Sequence, residues 1–435
     1  MQLKVTSLDS RGFGKAKDSK GNLYKILGAL PNEVVTARSI KKSKKNIFAV
    51  VDEVIESSPF RIEPKDPESY LSSSVWQILK LDKENIFKTE IVKSEFGKFT
   101  KNFNAHEKTL IDNFQVISQD ESDSWNYRNK VELQFCLIEN GAISYALYNQ
   151  GESWQKSPME ESSIFSHSIN KAAHKILDFI KRNNLHIDDL RYLILRSGQN
   201  GVVALLCLKS EVGCEALEEL LDENITGFML AMPKSDSYEI LHKIGHCEMQ
   251  EQILDKTFYS DFDHFFQINI SIFELVIRDI KNLINKLNLK KPDLMLVDLF
   301  AGVGVIGLLL SEYFKKVVCV EISSGTKEFA LRNARMNSVQ NFEFYESDID
   351  SALDLIQKAD VLVLDPPRGG LTKNCLDSIK RHLPKYIIYL SCNHETFVKD
   401  LAHLNDIYEV KFLKGYNFFP HTPHVECLSF LQIKW

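Results

Sequence analysis

The residues with the clearest chemical potential lie at the ends of apolar runs in the last third of the chain. The glycine pattern Gly302-x-Gly304-x-x-Gly307 follows an apolar run that ends at Asp298. Glycines at this spacing let a chain turn sharply from a buried strand into a helix and approach a ligand closely. Nineteen residues after Gly302, a second apolar run ends in Glu321, an acid suited to ribose hydroxyl groups. The pattern predicts a nucleoside cofactor, either NAD or S-adenosylmethionine, although a tight turn without a ligand has the same spacing.

Two further strand ends carry reactive groups. The apolar run 361–364 leads into Asp365-Pro-Pro-Arg368, where the prolines fix φ and remove backbone donors, so that the acid faces a crevice. Methyltransferases of nucleobase amino groups use such a loop, usually followed by an aromatic residue, whereas Arg368 follows here. One strand–helix unit later, Cys392 ends another apolar run. A buried cysteine is most often inert, but a position between a strand end and a helix favours a stabilised thiolate. We therefore expect Cys392 to be a nucleophile.

The last motif, residues 418–426, adds the carboxylate of Glu426 and two histidines. His421 and His424 have the spacing of a metal pair, but no third ligand lies at a convincing spacing, so we expect no metal. Together with Asp365 and Cys392, the carboxylate completes a catalytic set. A thiolate that adds to carbon 6 of uracil turns carbon 5 into an enolate, the enolate attacks an electrophilic methyl group, and a base then removes the carbon-5 proton. Because amino-group methylation needs no cysteine, the set favours carbon methylation with S-adenosylmethionine as the donor.

Alternating strands and helices must position these residues. From residue 257 to 435 the alternation predicts a Rossmann-like, doubly wound parallel sheet, an α/β fold whose ligand crevice lies at the strand carboxyl ends. Acids recur at those ends, with Asp348 following the strand after Glu321. Upstream, the paired aromatics of 262–266 are typical of a core, but the amide of Gln267 could reach the polar end of a ligand. Residues 75–116 are predicted to be mostly helical, and residues 57–256 to form a central mixed α/β domain.

Residues 1–56 differ from the rest of the chain in charge. They carry 11 Lys or Arg against 6 Asp or Glu, whereas the whole chain has a net charge of −6. Short alternating strands, broken at glycine and proline turns, predict a small antiparallel barrel. Small barrels with a basic rim commonly hold single-stranded nucleic acid. The Lys41–Lys45 run is therefore either a phosphate-contacting rim or a solvated loop, and we expect RNA as the partner of residues 1–56.

Length and composition limit the class of protein. A chain of 435 residues with 44% hydrophobic and 26% charged residues is long enough for two or three globular domains. No apolar run reaches the ~18 residues of a membrane helix, and the alternating start shows no signal peptide. The eight cysteines include no Cys-x-x-Cys pair, which indicates a reducing compartment and argues against a cysteine zinc site. We expect a cytoplasmic monomer without a membrane partner.

The motifs, taken in order, resemble the bacterial RNA (uracil-5-)-methyltransferase family that carries an N-terminal TRAM barrel. The resemblance spans nearly the whole chain and implies S-adenosylmethionine as the cofactor. By position it implies that Gln267, Phe300, Glu321 and Asp365 lie at the cofactor or the base, that Cys392 is the nucleophile and that Glu426 is the proton acceptor. The matching motifs are the barrel at 1–56, Arg61-x-x-Pro64, Tyr127-Arg-Asn-Lys130, Phe266-Gln-x-Asn269, Asp298-Leu-Phe-Ala-Gly302, Asp365-Pro-Pro-Arg368, Ser391-Cys-Asn393 and Phe419-Pro-x-Thr-x-His-Val-Glu426.

Two positions depart from the family pattern. Many members hold an iron–sulfur cluster through cysteines just after the Arg-x-x-Pro arm, but residues 66–76 contain none and the first cysteine is Cys136. We therefore expect no iron–sulfur cluster. His394 replaces the proline usual after Ser-Cys-Asn and leaves the nucleophile intact. The barrel implies 23S ribosomal RNA as the substrate, because the best-known tRNA-specific members lack it, and tRNA is the alternative. A non-catalytic RNA-binding or assembly protein is the rival class, against which the intact Cys392 and Glu426 argue.

Overall fold

The computed structural model describes residues 2–149, 152–210, 216–234, 237–287, 289 and 293–434, with residues 152–155 described by their backbone alone. Cys214 and the terminal residues Met1 and Trp435 lie outside the described residues. Two compact units are present, the first made of Met1–Phe87, Asp120–Met249 and Phe419–Pro423, the second of Lys88–Gln119, Gln250–Phe418 and His424–Trp435. None of the described helices is long and apolar enough to cross a membrane. The division at residues 56 and 256 stays a prediction.

Residues 2–56 of the first unit form a closed five-stranded barrel. Its strands are β1 (Gln2–Leu8), β2 (Gly14–Lys17), β3 (Leu23–Leu27), β4 (Val34–Lys42) and β5 (Ile47–Glu56), in the order β1-β2-β3-β5-β4. Alternation buries Leu3, Val5 and Val35 in the barrel core. The predicted barrel is confirmed, but the prediction that it is antiparallel throughout is wrong. Strands β3 and β5 are not consecutive and pair in parallel. The Lys41–Lys45 run is exposed around the turn between β4 and β5.

An arm that follows the barrel is held by a buried ion pair. The Glu33 carboxylate, fully buried, accepts hydrogen bonds from Arg61 Nε at 2.5 Å and Arg61 Nη2 at 2.9 Å. The prediction that residues 75–116 are mostly helical is confirmed, although residues 75–78, with the fully buried Trp76, form turns and the first helix of this range begins at Leu81. Large apolar residues recur there because the segment is buried on several sides. The elements that follow the barrel are α1 (Tyr70–Ser73), α2 (Leu81–Gly97), α3 (Ala105–Asp112) and β6 (Val116–Ile117), with 3-10 turns at Thr100–Asn102 and Glu121–Ser124.

The central part of the first unit is a seven-stranded sheet covered by one helix. Apolar residues at helical spacing on α4 (His167–Arg182) pack against alternating apolar residues of the strands. The strand order is β13-β12-β11-β10-β7-β8-β9, and β14 and β15 form a separate pair. The strands are β7 (Lys130–Leu137), β8 (Ile143–Asn149), β9 (Glu152–Met159), β10 (Leu190–Gly198), β11 (Gly201–Leu208), β12 (Ile225–Lys234), β13 (Ser237–Gly245), β14 (Glu248–Ile253) and β15 (Lys256–Asp261), with a 3-10 turn at Leu217–Leu220.

The second unit contains an eight-stranded sheet in the order β18-β17-β16-β19-β20-β22-β21-β6. The five strands from β18 to β20 are parallel, which confirms the Rossmann-like fold, whereas β22 runs antiparallel to both β20 and β21. The order reverses between β16 and β19, and in open α/β sheets ligands bind at such a switch point. The elements are α5 (Ile270–Lys286), β16 (Met295–Asp298), α6 (Val305–Leu310), β17 (Lys316–Glu321), α7 (Thr326–Met336), β18 (Phe342–Glu346), β19 (Val361–Leu364), α8 (Lys373–His382), β20 (Tyr386–Ser391), α9 (His394–Leu404), β21 (Tyr408–Tyr416) and β22 (Glu426–Ile433), with 3-10 turns at Ser311–Tyr313 and Asp350–Lys358.

The buried ion pair of the arm gives a stability prediction. We expect Glu33→Ala to lower the free energy of unfolding by about 3 kcal/mol, because it leaves the Arg61 guanidinium without its carboxylate in a largely buried position. Glu53→Ala, which removes an exposed carboxylate of the same barrel, should change the free energy of unfolding by less than about 0.5 kcal/mol. Urea denaturation followed by circular dichroism measures both variants. Equal losses for the two would contradict a dominant role for the ion pair.

Candidate active site

Four neighbouring strands bring most of the predicted catalytic residues to one edge of the second unit's sheet. Asp298 ends β16, Asp365 follows β19 and Cys392 follows β20, and these three strands are parallel neighbours. Because β22 is antiparallel, its first residue, Glu426, lies at the same edge. The register pairs Ser391 with Cys427, so its continuation sets Cys392 opposite Glu426. Residues facing each other across antiparallel strands have Cα atoms about 5 Å apart and side chains on one face.

The three carboxyl groups of this edge are poorly solvated. Burial, followed by the charge of Asp365, raises the pKa of Asp298 to about 8, and the backbone N–H groups of Phe300 and Gly307 oppose this rise only in part. Burial alone raises the pKa of Asp365 to about 7. Burial and then the charge of Asp365 raise the pKa of Glu426 well above its ordinary value. The edge therefore holds protons that exposed carboxyl groups would release near pH 4.

The same surroundings act on the cysteine. Burial, then the charges of Glu426 and Asp365, raise the pKa of Cys392 to about 12, and the charge of Arg368 opposes this rise. The expectation of a stabilised thiolate is therefore wrong. The backbone N–H of Glu395, which could have stabilised an anion at the start of α9, is instead bound at 3.1 Å by the Asn393 side chain. The combined effect of burial and two neighbouring carboxyl groups on the pKa of Cys392 is larger than the opposing effect of the Arg368 guanidinium.

The loop Asp365–Gly370 is fixed by side chains of α9 and of the turn before it. Asn393 Nδ2 donates to the Arg368 carbonyl at 2.8 Å, and the Leu371 N–H donates to Asp400 Oδ2 at 3.0 Å. Gly370 has a φ of +77°, and a Cβ there would lie 2.8 Å from Asp400 Oδ2. The amide of Asn393 thus caps the helix with its oxygen and holds the loop with its nitrogen. This explains why an asparagine follows the cysteine.

Arg368 and His424 meet beside the carboxyl groups. Arg368 Nη2 donates to His424 Nδ1 at 3.4 Å, which requires a lone pair on Nδ1 and places the ring proton of a neutral imidazole on Nε2. The side chain of Arg368 is exposed, whereas that of His424 is half-buried. Each residue was visible in its own motif, but no sequence signal links two residues that lie 56 positions apart.

The glycine loop and its neighbours fit a nucleoside cofactor. Gly302 has a φ of +53°, and a Cβ there would meet only the Phe265 carbonyl at 3.8 Å, so there is open space above the loop. The Gly302 N–H donates to Glu321 Oε2 at 3.0 Å and joins the loop to the acid that ends β17. Ile322 and Phe265 are 63% and 68% exposed, respectively. Two exposed apolar side chains flanking an open loop and a partly exposed acid suit a purine ring and a ribose. Sequence reasoning did not single out Ile322. Its prediction that the paired aromatics of 262–266 belong to a core is confirmed for Phe266 but wrong for Phe265.

The other predicted cofactor residues differ in their surroundings. Gln267 Nε2 lies 3.4 Å from Asp365 Oδ2, which places the amide beside the acid–Pro–Pro loop. Phe300 is partly buried against the sheet core, and Gly304, with a φ of +84°, precedes the first residue of α6. Asp348 lies apart from the buried carboxyl groups of this edge, because it follows the outermost strand β18. It is exposed and accepts a hydrogen bond from the N–H of Ser351 at 3.1 Å.

The two family departures have local structural settings. His394 is the first residue of α9, where proline is favourable because the first helical N–H needs no partner within the helix. The His394 ring is buried, and its Nε2 has no hydrogen-bond partner among the described residues. The arm that lacks cysteines contributes Asp66, whose carboxylate accepts hydrogen bonds from Ser162 and Ser163. Within the described part of the chain, no three His, Cys, Asp or Glu residues are grouped to hold a metal ion.

A Rossmann-like sheet with an open glycine loop, an acid at the end of the next strand and a cysteine–carboxylate edge fits a methyltransferase. The family profile described as tRNA (Uracil-5-)-methyltransferase matches residues 98–434. The chain belongs to this family, and it is an S-adenosylmethionine-dependent RNA (uracil-5-)-methyltransferase.

Individual relatives match over nearly the whole chain. An uncharacterized RNA methyltransferase of Lactobacillus johnsonii is 28% identical over 99% of this chain and 98% of its own length. A second, from Caldanaerobacter subterraneus subsp. tengcongensis, is 26% identical over 99% of this chain and 98% of its own length. The solved structure of the Pyrococcus abyssi tRNA (uracil-54, C5)-methyltransferase in complex with S-adenosyl-L-homocysteine is similar with a TM-score of 0.75 and 23% identity, over 99% of this chain and 100% of that one. This likeness extends the shared fold to the barrel.

The raised pKa of Asp298 gives a pH-dependent prediction. A folded-state pKa of about 8 against about 3.9 in the unfolded chain means that the folded protein binds the extra proton, so ionisation destabilises the fold as pH rises. We expect Asp298→Asn, which cannot ionise, to gain stability relative to the wild type between about pH 4 and pH 8. Denaturant unfolding at several pH values measures this difference. A difference that stays constant with pH would contradict the burial of an ionisable Asp298.

Proposed function

We propose that the protein methylates carbon 5 of a uridine in RNA through a covalent bond between Cys392 and carbon 6. The observation that carries the proposal is the facing placement of Cys392 and Glu426, at the end of β20 and the start of β22, with Asp365 on the next strand. Cys392 is the nucleophile, Glu426 is the base that removes the carbon-5 proton, and Asp365 orients the uracil through its polar edge. A nucleophile and a base that face each other on neighbouring strands suit addition followed by elimination.

The cofactor is assigned to the glycine loop and the strand ends beside it. When bound, S-adenosylmethionine supplies the electrophilic methyl group. The open space above Gly302 and the partly exposed Glu321 support this assignment. The side chains and backbone groups proposed to bind it are those of Gln267, Asp298, Phe300, Gly302, Gly304, Glu321, Asp348 and Asp365.

The raised pKa of Cys392 constrains the first step. The sulfur–carbon bond forms as the thiol proton leaves, and the electron pair of the carbon 5–carbon 6 double bond moves towards the carbonyl oxygen on carbon 4, which gives an enolate. The proton needs an acceptor, and the carboxylates whose charges act on the sulfur are those of Asp365 and Glu426. Asp365, with a pKa of about 7, is substantially ionised at neutral pH. It is therefore the carboxylate best able to receive this proton while it holds the uracil.

Elimination completes the reaction after the methyl group has joined carbon 5. Glu426 takes the carbon-5 proton, the electron pair of that bond restores the double bond, and the sulfur of Cys392 leaves carbon 6. Because its pKa is raised, an ionised Glu426 is a stronger base than an exposed glutamate. His424 is the alternative base, but its Nδ1 already accepts the hydrogen bond from Arg368. This contact favours Glu426.

The nature of the RNA rests on the barrel. We infer 23S ribosomal RNA as the substrate of a cytoplasmic, monomeric enzyme, on the family argument that the best-known tRNA-specific members lack this barrel. The Pyrococcus abyssi protein favours the alternative, because it is named a tRNA methyltransferase and its fold match includes the barrel. Both substrates require the target base to leave its stack so that both ring faces become accessible.

The roles of the two carboxylates can be separated by trapping. We expect Glu426→Gln to accumulate a methylated RNA joined covalently to the protein, because the amide keeps the shape of the side chain but cannot take the carbon-5 proton. Denaturing gel electrophoresis with radiolabelled RNA detects the complex. Cys392→Ala should form no complex, and Asp365→Ala should fail at or before bond formation. Near wild-type turnover by Glu426→Gln would assign the base to another group, with His424 the first to test.

The target RNA can be identified in cells. We expect deletion of the gene to remove a 5-methyluridine from 23S ribosomal RNA and to leave tRNA unchanged, and re-expression of the wild type, but not of Cys392→Ala, to restore it. Mass spectrometry of nucleosides from each purified RNA measures the change. Loss from tRNA alone would establish the alternative substrate, and no loss from either RNA would contradict the proposed activity.

A further inference from the structure

An exposed guanidinium stands at the rim of the catalytic edge. We propose that Arg368, held by its contact with His424, forms a subsite for a phosphodiester of the RNA backbone next to the target uridine. The proposal rests on the proposed function, because it takes Cys392 and Glu426 as the place where the uracil reacts. It adds a recognition element that reads the backbone rather than the base.

The charge of Arg368 is available to a ligand. Its side chain is exposed, its contact with His424 is to a neutral ring nitrogen, and it forms no ion pair with a carboxylate of the described residues. Its charge still acts on the site, since it lowers the pKa of both Cys392 and Glu426. A cation this close to the reacting groups, exposed at their rim and without an anionic partner at contact distance, is suited to bind an anion of the substrate.

The subsite is held in place before any substrate binds. The carbonyl of Arg368 accepts hydrogen bonds from Asn393 Nδ2 at 2.8 Å and from Thr396 Oγ1 at 3.4 Å, so that the loop is tied to the start of α9. A planar guanidinium offers parallel N–H donors that match the acceptor oxygens of a phosphodiester.

The charge distribution of the site explains the need for such a subsite. When they ionise, the carboxyl groups of Asp298, Asp365 and Glu426 repel RNA phosphates from the crevice. A uridine that has left its stack brings its own phosphates to the mouth of the crevice. One cation at the rim offsets this repulsion where the backbone passes, while the neutral uracil enters the acidic interior.

The experiment compares Arg368→Gln and Arg368→Lys with the wild type in the full-length enzyme. The matched control is Arg335→Gln, which removes an exposed arginine near the C-terminus of α7. Because α7 starts at the carboxyl edge and runs back along the sheet, Arg335 lies towards the opposite edge. The probe is total RNA from cells that lack the enzyme, and the measurement is kcat/KM for transfer of a tritiated methyl group at KCl concentrations from about 50 to 200 mM.

We expect Arg368→Gln to make the dependence of log kcat/KM on log salt concentration shallower by roughly 0.7 to 0.9, the share of one phosphate contact. Most of the loss should appear in KM, and affinity for S-adenosylmethionine should stay unchanged, which shows that the variant is folded. Arg368→Lys should keep the wild-type slope with a higher KM, because lysine retains the positive charge but lacks the paired N–H donors of the planar guanidinium. Arg335→Gln should keep both the slope and the KM of the wild type.

Two results would overturn the subsite. One is a wild-type salt slope in Arg368→Gln, and the other is a loss confined to kcat with an unchanged slope, which would assign the guanidinium to the enolate oxygen instead. Failure of the proposed function is seen separately, since Glu426→Gln with an intact Arg368 would then form no covalent RNA complex. A covalent complex together with an unchanged slope would reject the subsite alone.

Discussion

Burial of three acidic groups side by side at one edge of a sheet is the constraint on which the second unit depends. Parallel strands β16 and β19 bring Asp298 and Asp365 to one edge, and the reversed strand β22 adds Glu426 there. Water would screen three such charges, but burial raises each pKa and keeps protons on the row. Proton uptake and release therefore belong to the group of residues rather than to one side chain. The thiol of Cys392 stays protonated for the same reason.

Side chains, rather than a backbone ladder, hold the reactive loops around this row. The prolines after Asp365 remove the donors that would extend β19. The loop is held instead by Asn393, which donates to the Arg368 carbonyl, and by Asp400, which accepts from the Leu371 N–H. The amide of Asn269 works in the same way, since it donates to the carbonyl of Phe418 at 3.1 Å while its oxygen caps α5. Several polar residues of the sequence motifs thus fix the backbone and leave the chemistry to fewer groups.

The sequence predicted local structure well where a residue type is favoured in one kind of backbone conformation or environment. The glycines of the 302–307 loop predicted the strand-to-helix turn, and in the structure Gly302 and Gly304 adopt the positive φ that such a turn needs. The apolar runs predicted the five parallel strands. Contacts between segments that are far apart in the chain could not be predicted from the sequence. Nothing in the sequence placed β22 between β20 and β21, paired Arg368 with His424, or showed that carboxyl groups would surround Cys392 and raise its pKa. Periodicity also failed at Trp76, where burial on several sides resembles the apolar face of a helix.

The position of β22 also bears on how the catalytic unit folds. It is the last of the eight strands in the chain, yet it lies inside the sheet between two strands that precede it. A partly folded chain in which β16 to β20 have already paired presents β20 as an open edge, and Cys392 then lies at that edge without Glu426 opposite. Such an intermediate would hold the proposed nucleophile without the proposed base. If Glu426 has the proposed role, turnover requires that β22 has already been inserted between β20 and β21.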